Sequence, residues 1–222
     1  MSPAARTKPR RAPVQARSRL TVDAVLEAAA QVFERHGYAA GTTNRIAERA
    51  GVSIGSLYQY FPNKDAVLVA LVEQHLDDAT AAAAPLISEF ASAPPELRRG
   101  LRILADAFVA LHADRPGLHR VLFEESPRPR AILDRLETLE QASTSAIAAW
   151  LGTLPTVTAP DLSIAAAFVV QTLESTTHRL VIHPQPGVEP QRYVDEAVVL
   201  LAAYLTAPRG EMADPASGAL SA

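Results

Sequence analysis

The seventeen prolines of this 222-residue chain are clustered, and their placement limits what the chain can fold into more than any other feature. Proline has no backbone N–H and disrupts the interior of a helix or a central strand, so regular structure extends between prolines. We expect the helices or strands to occupy the six longest proline-free segments, which are residues 14–61, 63–84, 96–115, 130–154, 161–183 and 191–207.

The content of these segments favours helices. Alanine, the strongest helix former, supplies 42 residues, and no segment sustains the alternation of β-branched residues that is typical of strands. The chain is therefore predicted to be all-α. Its linkers are expected around Pro85 to Pro95, Pro127 to Pro129, Pro155 to Pro160 and Pro184 to Pro190.

The two ends of the chain differ from these segments. Residues 1–16 and 208–222 are rich in proline, alanine, serine and charge and lack a periodic apolar face, so both are predicted to be disordered. Residues 1–64 carry ten basic and four acidic residues, a net charge of +6, whereas the remainder carries −9. A polyanionic partner for the basic head is one explanation, and a solubilising tail is the other.

Several classes of function are disfavoured. The chain has no cysteine, which excludes disulfides, thiolate zinc sites and cysteine nucleophiles. Its six histidines form no His-Glu-x-x-His motif, and neither a Walker loop nor a Gly-x-Ser-x-Gly elbow occurs. We therefore expect no enzymatic activity, no cofactor and no bound metal. No apolar run approaches the length of a membrane span, so a soluble, cytoplasmic protein is expected.

The first long segment divides at its capping residues. One helix is expected from near Ser18 or Thr21 to Gly37, and a second from Thr43, as its cap, to Ala50. Gly51 closes the second helix and Ser53 caps a third. Two short helices joined by about three residues that include a glycine are typical of a helix-turn-helix.

The end of a recognition helix that enters the major groove must carry small or polar groups, because base edges lie there. Ser53, Ile54, Gly55 and Ser56 meet this requirement, and Gln59 is the best candidate for a bidentate contact to adenine. Leu57 and Phe61 are expected in the core instead. The complete set of predicted DNA-binding residues is Thr43, Ser53, Ile54, Gly55, Ser56, Tyr58, Gln59, Tyr60 and Lys64.

Some of these assignments leave an alternative open. Tyr60 is expected either to contact DNA or to pack, and Thr43 and Ser53 are helix caps first. Arg45 and Arg49 form either a solvated face or phosphate contacts.

Residues 18–71 closely resemble the DNA-binding region of the tetracycline-repressor (TetR) family of bacterial regulators. The resemblance rests on matched residues in order, which are Phe33, Gly37-Tyr38, Thr42-Thr43, Ile46-Ala47, Ala50-Gly51-Val52-Ser53, Gly55-Ser56-Leu57-Tyr58, Tyr60-Phe61 and Lys64-Asp65. It implies a DNA-binding domain at 17–64 and a helical effector-binding and dimerisation domain at 65–207, between a basic arm at 1–16 and a tail at 208–222.

The implied body binds a small effector and dimerises through its last two long helices. An inner face of the segment 161–183 and the helices before it would line the effector chamber, although the same residues also suit an ordinary core. The candidate lining residues are Leu104, Phe108, Leu111, Leu118, Leu122, Phe123, Trp150, Phe168, Gln171, Ser175 and His178.

These features predict a ligand-responsive, homodimeric DNA-binding regulator, a repressor by family expectation, which a small hydrophobic effector releases from a palindromic operator. The alternative is a helical interaction module whose basic arm docks on an acidic protein or a membrane surface. That alternative gives no purpose to the stretch from Ser53 to Lys64.

Overall fold

The computed structural model describes residues 16–113, 115–184, 186–187 and 189–208. These residues form helices and connecting turns with no strand, and none of the helices among them is long and apolar enough to cross a membrane. The all-α prediction is confirmed. The helices are α1 (Ala16–Ala40), α2 (Thr43–Ala50), α3 (Ile54–Tyr60), α4 (Lys64–Ser92), α5 (Leu97–Ala113), α6 (Pro116–Arg120) with a π-helical turn Val121–Glu125, α7 (Arg130–Gly152), α8 (Leu162–Ile182) and α9 (Pro190–Thr206).

The predicted arm and tail lie outside the described residues, apart from Ala16 and Pro208 at their inner edges. Ala16 is the first residue of α1, so this helix begins slightly before the predicted start. Its regular geometry breaks at Gly37, where φ is 71° and ψ is 171°, and helical bonding resumes up to Ala40.

The caps of the next two helices follow the prediction with one correction. The side chain of Thr42, and not of Thr43, caps α2 by accepting a hydrogen bond from the backbone N–H of Arg45 at 3.4 Å. Gly51 ends α2 in the left-handed conformation, with φ at 67°. Ser53 caps α3 as predicted, since its hydroxyl oxygen accepts from the N–H of Ser56 at 3.0 Å.

The prediction of a linker that starts at Pro85 is wrong. Helix α4 continues through Pro85 to Ser92, so the connection to α5 is only residues 93–96. Pro85 lies at an exposed position in the second half of α4. Water there can bond the carbonyl group that a proline leaves without its helical partner, which reduces the cost of a proline inside a helix.

Two hydrophobic cores organise the helices. The first contains α1, α2, α3 and the first half of α4, and it also includes Leu118, Val121 and Leu122 from α6 and the π turn. The second contains α5, α8 and α9 with the end of α7. On α9 the stripe Val194, Val198, Leu201 and Leu205 is buried in this second core. Helix α6 therefore packs on the helix-turn-helix, and it also contacts α5 and α8 of the body.

Close packing in the second core centres on Trp150. Its indole N–H donates to the carbonyl of Pro95 at 3.1 Å, and its ring lies 5.2 Å from that of Phe90. Gly100 on α5 lies against the indole, and a Cβ added there would be 2.1 Å from Cζ2 of Trp150.

We predict that Gly100→Ala destabilises the protein. Alanine gains about 1 kcal/mol of helix propensity over glycine, but forcing a methyl group into a packed core costs about 1–3 kcal/mol. With a Cβ contact this short, the steric cost should exceed the gain, and urea unfolding should show a lower midpoint.

Gly152→Ala is the matched control for this comparison. Its added Cβ would meet only Leu162 Cδ1, at 3.3 Å, so its stability should change little. Equal stability of the two variants would contradict our account of the contact between α5 and Trp150.

Candidate nucleic-acid interface and effector region

Helix α3 is fixed in place by its buried side. Leu57 of α3 is 0% exposed in the first core, and Phe61, which caps the end of α3, is 1% exposed. Ile46 of α2 packs in the same core and is also 0% exposed. The cap at Ser53 fixes where the helix starts. Together these contacts determine which side of α3 reaches solvent.

The exposed side of α3 carries most of the predicted contact residues. Ser53, Ile54, Gly55, Tyr58 and Gln59 are all exposed. Ser56 and Tyr60 are half-buried, and Tyr60 packs against the first core. The structure thus gives Tyr60 a packing role, and it gathers the other predicted residues of α3 at one surface.

Gly55 has no packing partner that would explain it. A Cβ at this position would meet only the Oγ of Ser53, at 3.8 Å, which is an ordinary contact. A glycine within a helix costs about 1 kcal/mol relative to alanine. Nothing in the described neighbourhood offsets that cost, so the absence of a side chain points to close approach of something outside the chain.

Helices α2 and α3 are joined at their polar surface. The hydroxyl groups of Thr43 and Tyr58 share a hydrogen bond of 3.1 Å. The two arginines of α2 bond within the chain: Arg45 donates to the carbonyl of Ala40 at 2.9 Å, and Arg49 donates to the side chain of Gln31 at 2.6 Å. These bonds orient α2 against α1.

Lys64 ties the start of α4 to the end of α1. Its ammonium donates to the carbonyls of Tyr38 at 2.7 Å and Ala39 at 3.4 Å, and it lies 4.0 Å from the centre of the Tyr38 ring. The phenol of Tyr38 donates to the carboxylate of Asp65. Burial and then this bond to Asp65 raise the pKa of Tyr38 above its usual range. Lys64 therefore has a structural role, and a phosphate would have to share its ammonium.

Four predicted effector contacts lie elsewhere than expected. Trp150 is 3% exposed within the second core, so it fills space rather than lining a chamber. Phe168, Gln171 and Ser175 lie on the outer side of α8, with Phe168 55% exposed. The inner side carries Val169, Leu173, Thr177 and Leu180 instead. Apolar residues repeat at helical spacing on both sides of α8, so the sequence periodicity could not show which side the neighbouring helices cover.

The other predicted lining residues belong to α5, α6, the π turn and the end of α8. Leu104, Phe108 and Leu111 are half-buried on α5, and Leu118 and Leu122 are buried in the first core. Phe123 packs against a set of histidines that includes His178. The rings of His119 and Phe123 are 4.4 Å apart, and those of His119 and His178 are 5.4 Å apart.

This histidine cluster consists of His75, His112, His119 and His178, contributed by α4, α5, α6 and α8. The rings of His112 and His119 are 4.4 Å apart, and those of His75 and His119 are 5.4 Å apart. Burial, followed by the neighbouring histidines, lowers the pKa of His119 to about 3. Burial also lowers the pKa of His112, against the opposing effect of its bond to the Phe108 carbonyl. Both imidazoles are therefore neutral at pH 7.

A carboxylate lies beside the cluster. Glu124 Oε1 is 2.9 Å from Nε2 of His178 and 2.9 Å from Nε2 of His183. Burial opposes ionisation of Glu124, but the bonds from these two histidines outweigh it and lower its pKa. Of the cluster, the sequence predicted only His178 as a site residue. The spacing of these histidines matches no metal-binding pattern, because the four rings meet only through the packing of four helices.

A separate cleft of about 390 Å³ lies between α7 and the start of α8. Six of its seven lining residues are polar or charged, and none of the seven was predicted from the sequence. The lining residues are Glu137, Glu140, Gln141, Thr144, Ser145, Ala148 and Ser163.

Comparison with known families matches both parts of the chain. Residues 25–71 match the model described as bacterial regulatory proteins, tetR family. Residues 96–205 match the model described as the tetracyclin repressor-like C-terminal domain.

Curated relatives are similar over varying lengths. The activator FasR of Mycolicibacterium smegmatis is 33% identical over 101 residues, which are 45% of this chain and 44% of FasR. The regulator EthR of the same organism is 27% identical over 176 residues, 77% of this chain and 79% of EthR. The chain spans just under half of the length of FasR and about a quarter of the length of other curated relatives that it matches.

Solved structures share the fold. FadR of Bacillus subtilis, determined in complex with stearoyl-CoA, superposes with a TM-score of 0.62 at 19% identity. The match covers 82% of this chain and 97% of FadR. At this identity the likeness is one of fold.

Proposed function

Since the chain belongs to the TetR family of bacterial transcription regulators, which bind DNA through a helix-turn-helix, we propose that it is a dimeric repressor released from a palindromic operator by a small hydrophobic effector. The family consists of DNA-binding regulators rather than enzymes. The observation that carries the proposal is the exposed side of α3, where small and polar side chains surround an otherwise unexplained glycine.

The proposed DNA contacts have different physical roles. Ile54, Gly55 and Gln59 of α3 approach the base edges, and Gln59 suits bidentate pairing with adenine. The Thr43 and Tyr58 hydroxyls contact phosphate together, since they are already bonded to one another. The other proposed contacts with the phosphate backbone of the DNA are made by Ser53, Ser56 and Lys64, together with the basic arm at 1–16.

We place the effector in the helical body at 65–207. Half-buried apolar residues of α5 and the π turn, beside His178, remain the proposed contacts. Stearoyl-CoA, which is bound in the solved structure of FadR of B. subtilis, is a hydrophobic compound and a suitable first probe. An effector that binds the conformation unable to bind DNA more favourably, by about 1.4 kcal/mol, lowers the DNA affinity tenfold. DNA must then lower the affinity for the effector by the same factor.

The dimer is proposed to form through α8 and α9. These helices expose four large apolar side chains on their outer sides, namely Ile164, Phe168, Val199 and Leu200, at 47–63% exposure. The Phe168 ring stacks on that of Tyr204, with centroids 5.5 Å apart, so the exposed side chains of α8 and α9 form a joint surface. Pairing with the same surface of a second copy would bury it in an isologous interface.

We predict that purified protein selects a pseudo-palindrome from fragmented DNA. One recognition helix per protomer implies two half-sites about 34 Å apart, or a multiple of that distance. Because phosphate contacts release counterions, log affinity should fall linearly with log salt concentration. Sequencing of captured fragments and fluorescence anisotropy measure the two properties. Binding without sequence preference would favour the interaction-module alternative.

Gly55→Ala should separate stability from DNA binding. The new methyl group has space within the chain and adds helix propensity, so the melting temperature should stay the same or rise. Operator affinity should nevertheless fall at least about tenfold, because the methyl group would stand between α3 and the bases. Gly152→Ala, at the exposed end of α7 in the body, should leave operator affinity unchanged. Full operator affinity in Gly55→Ala would mean that DNA does not approach this position.

Leu200→Glu should yield a monomer. Leu200 is 63% exposed, so a carboxylate at this position is solvated in the monomer. In the proposed dimer the carboxylate would lose water and would lie in the same interface as the carboxylate of the second copy. Analytical ultracentrifugation should show half the mass of the wild-type protein. Leu133→Glu, at a 41% exposed position on α7, is the matched control and should remain dimeric. A dimeric Leu200→Glu protein would place the interface elsewhere.

A further inference from the structure

Three histidines from three helices meet beside the first core. His112 of α5, His119 of α6 and His178 of α8 each offer one ring nitrogen, and these nitrogens all lie within 4.8 Å of one another. His112 is 2% exposed, His119 is 7% exposed and His178 is half-buried. This trio is buried too deeply to be an ordinary solvated group of histidines.

Two of the three rings have a hydrogen-bond acceptor on one nitrogen, as metal-binding histidines usually do. The Phe108 carbonyl lies 2.7 Å from Nδ1 of His112, so a proton on Nδ1 leaves the Nε2 lone pair available. Glu124 accepts from Nε2 of His178 at 2.9 Å, which leaves Nδ1 of that ring available. A carbonyl or carboxylate on the far nitrogen fixes the tautomer and increases the basicity of a ligating imidazole.

The third ring carries a polar atom that no described residue satisfies. Nδ1 of His119 is buried and has no hydrogen-bond partner among the described residues. Leaving a buried polar group unsatisfied destabilises the folded chain, because the group loses its bonds to water and gains none in return. A leucine or phenylalanine would pack at this position without that cost, so the imidazole requires an explanation other than packing.

We propose that His112, His119 and His178 bind one divalent transition-metal cation, of the kind represented by Zn²⁺. Neutral imidazole nitrogens favour Zn²⁺, Ni²⁺, Co²⁺ and Cu²⁺ over Mg²⁺ and Ca²⁺, which prefer oxygen. Zinc binds imidazole nitrogen at about 2.0–2.1 Å, so tetrahedral ligand atoms lie about 3.4 Å apart. Binding would therefore shorten the longest of these separations by up to about 1.4 Å, and a fourth position would remain for water or another donor.

This contraction would act on the helix-turn-helix through α6. Arg115, at the start of α6, pairs with Glu27 and Glu34 of α1, at 3.3 Å each. At the other end of this segment Glu125 accepts from the backbone N–H of Tyr38 at 3.4 Å. A cation that pulls His119 toward α5 and α8 would move these contacts with α1. The effect of the cation on operator affinity rests on the proposed function. Metal binding by the three histidines does not depend on the proposed function.

The first test uses the full chain after chelator treatment, titrated with Co²⁺ as a spectroscopic probe. We expect one equivalent per protomer to give the visible absorption of a tetrahedral site, Zn²⁺ to displace it, and Mg²⁺ to have no effect. His178→Ala and His119→Phe should each weaken binding at least about 100-fold. His119→Phe preserves a packed aromatic ring, and urea unfolding should show that this variant remains folded.

His183→Ala is the matched control, because His183 also bonds Glu124 but lies outside the trio. It should retain one tightly bound equivalent. Absence of stoichiometric binding by the wild type, or equal binding by the wild type, His178→Ala and His119→Phe, would overturn the site.

The second test measures operator affinity with and without one equivalent of Zn²⁺. A change that His119→Phe abolishes supports coupling through α6, whereas unchanged affinity in a protein that binds Zn²⁺ overturns the coupling and leaves the site standing. Failure to select any DNA would contradict the proposed function, and the Co²⁺ titration would still decide the metal site.

Discussion

A single hydrophobic core holds both the DNA-binding helices and part of the body, and the arrangement of the rest of the molecule depends on it. Leu57 of α3 and Phe61, which caps the end of that helix, belong to the same buried cluster as Val67 and Leu71 of α4 and Val121 of the π turn. Because core side chains pack at crystal-like density, α6 cannot shift without displacing neighbours that also position α3. The recognition helix is therefore mechanically connected to residues more than fifty positions further along the chain.

Polar contacts reinforce this core on two sides. Lys64 and Asp65 bind the end of α1 around Tyr38. Arg115, just before α6, and Glu125, at the end of the π turn, also bind α1. Each exposed ion pair contributes little stability, about 0–1 kcal/mol. Their importance is geometric, because they fix the position of α1 relative to two helices that extend into the body. A regulatory event needs only a small preference between two such arrangements to change DNA affinity.

Two glycines in helices show how the structure separates structural from functional constraints. Gly100 is required by the indole of Trp150, which leaves no room for a Cβ, whereas nothing within the described chain occupies the space beside Gly55. In the sequence both are single glycines inside helical segments. The positions of their neighbours identify Gly100 as a packing requirement, and they leave Gly55, which the sequence already predicted to contact DNA, without a packing role.

The sequence by itself determined the helical class, most helix boundaries and the exposed side of α3, because these depend on local features such as prolines, caps and apolar spacing. It failed at Pro85, where exposure allows a helix to continue through a proline. Only the tertiary structure decided that Trp150 is core and that Phe168 faces outward, since α8 repeats apolar residues on both sides. The meeting of His112, His119 and His178 was likewise decided by packing, because sequence spacing records nothing of contacts between separate helices.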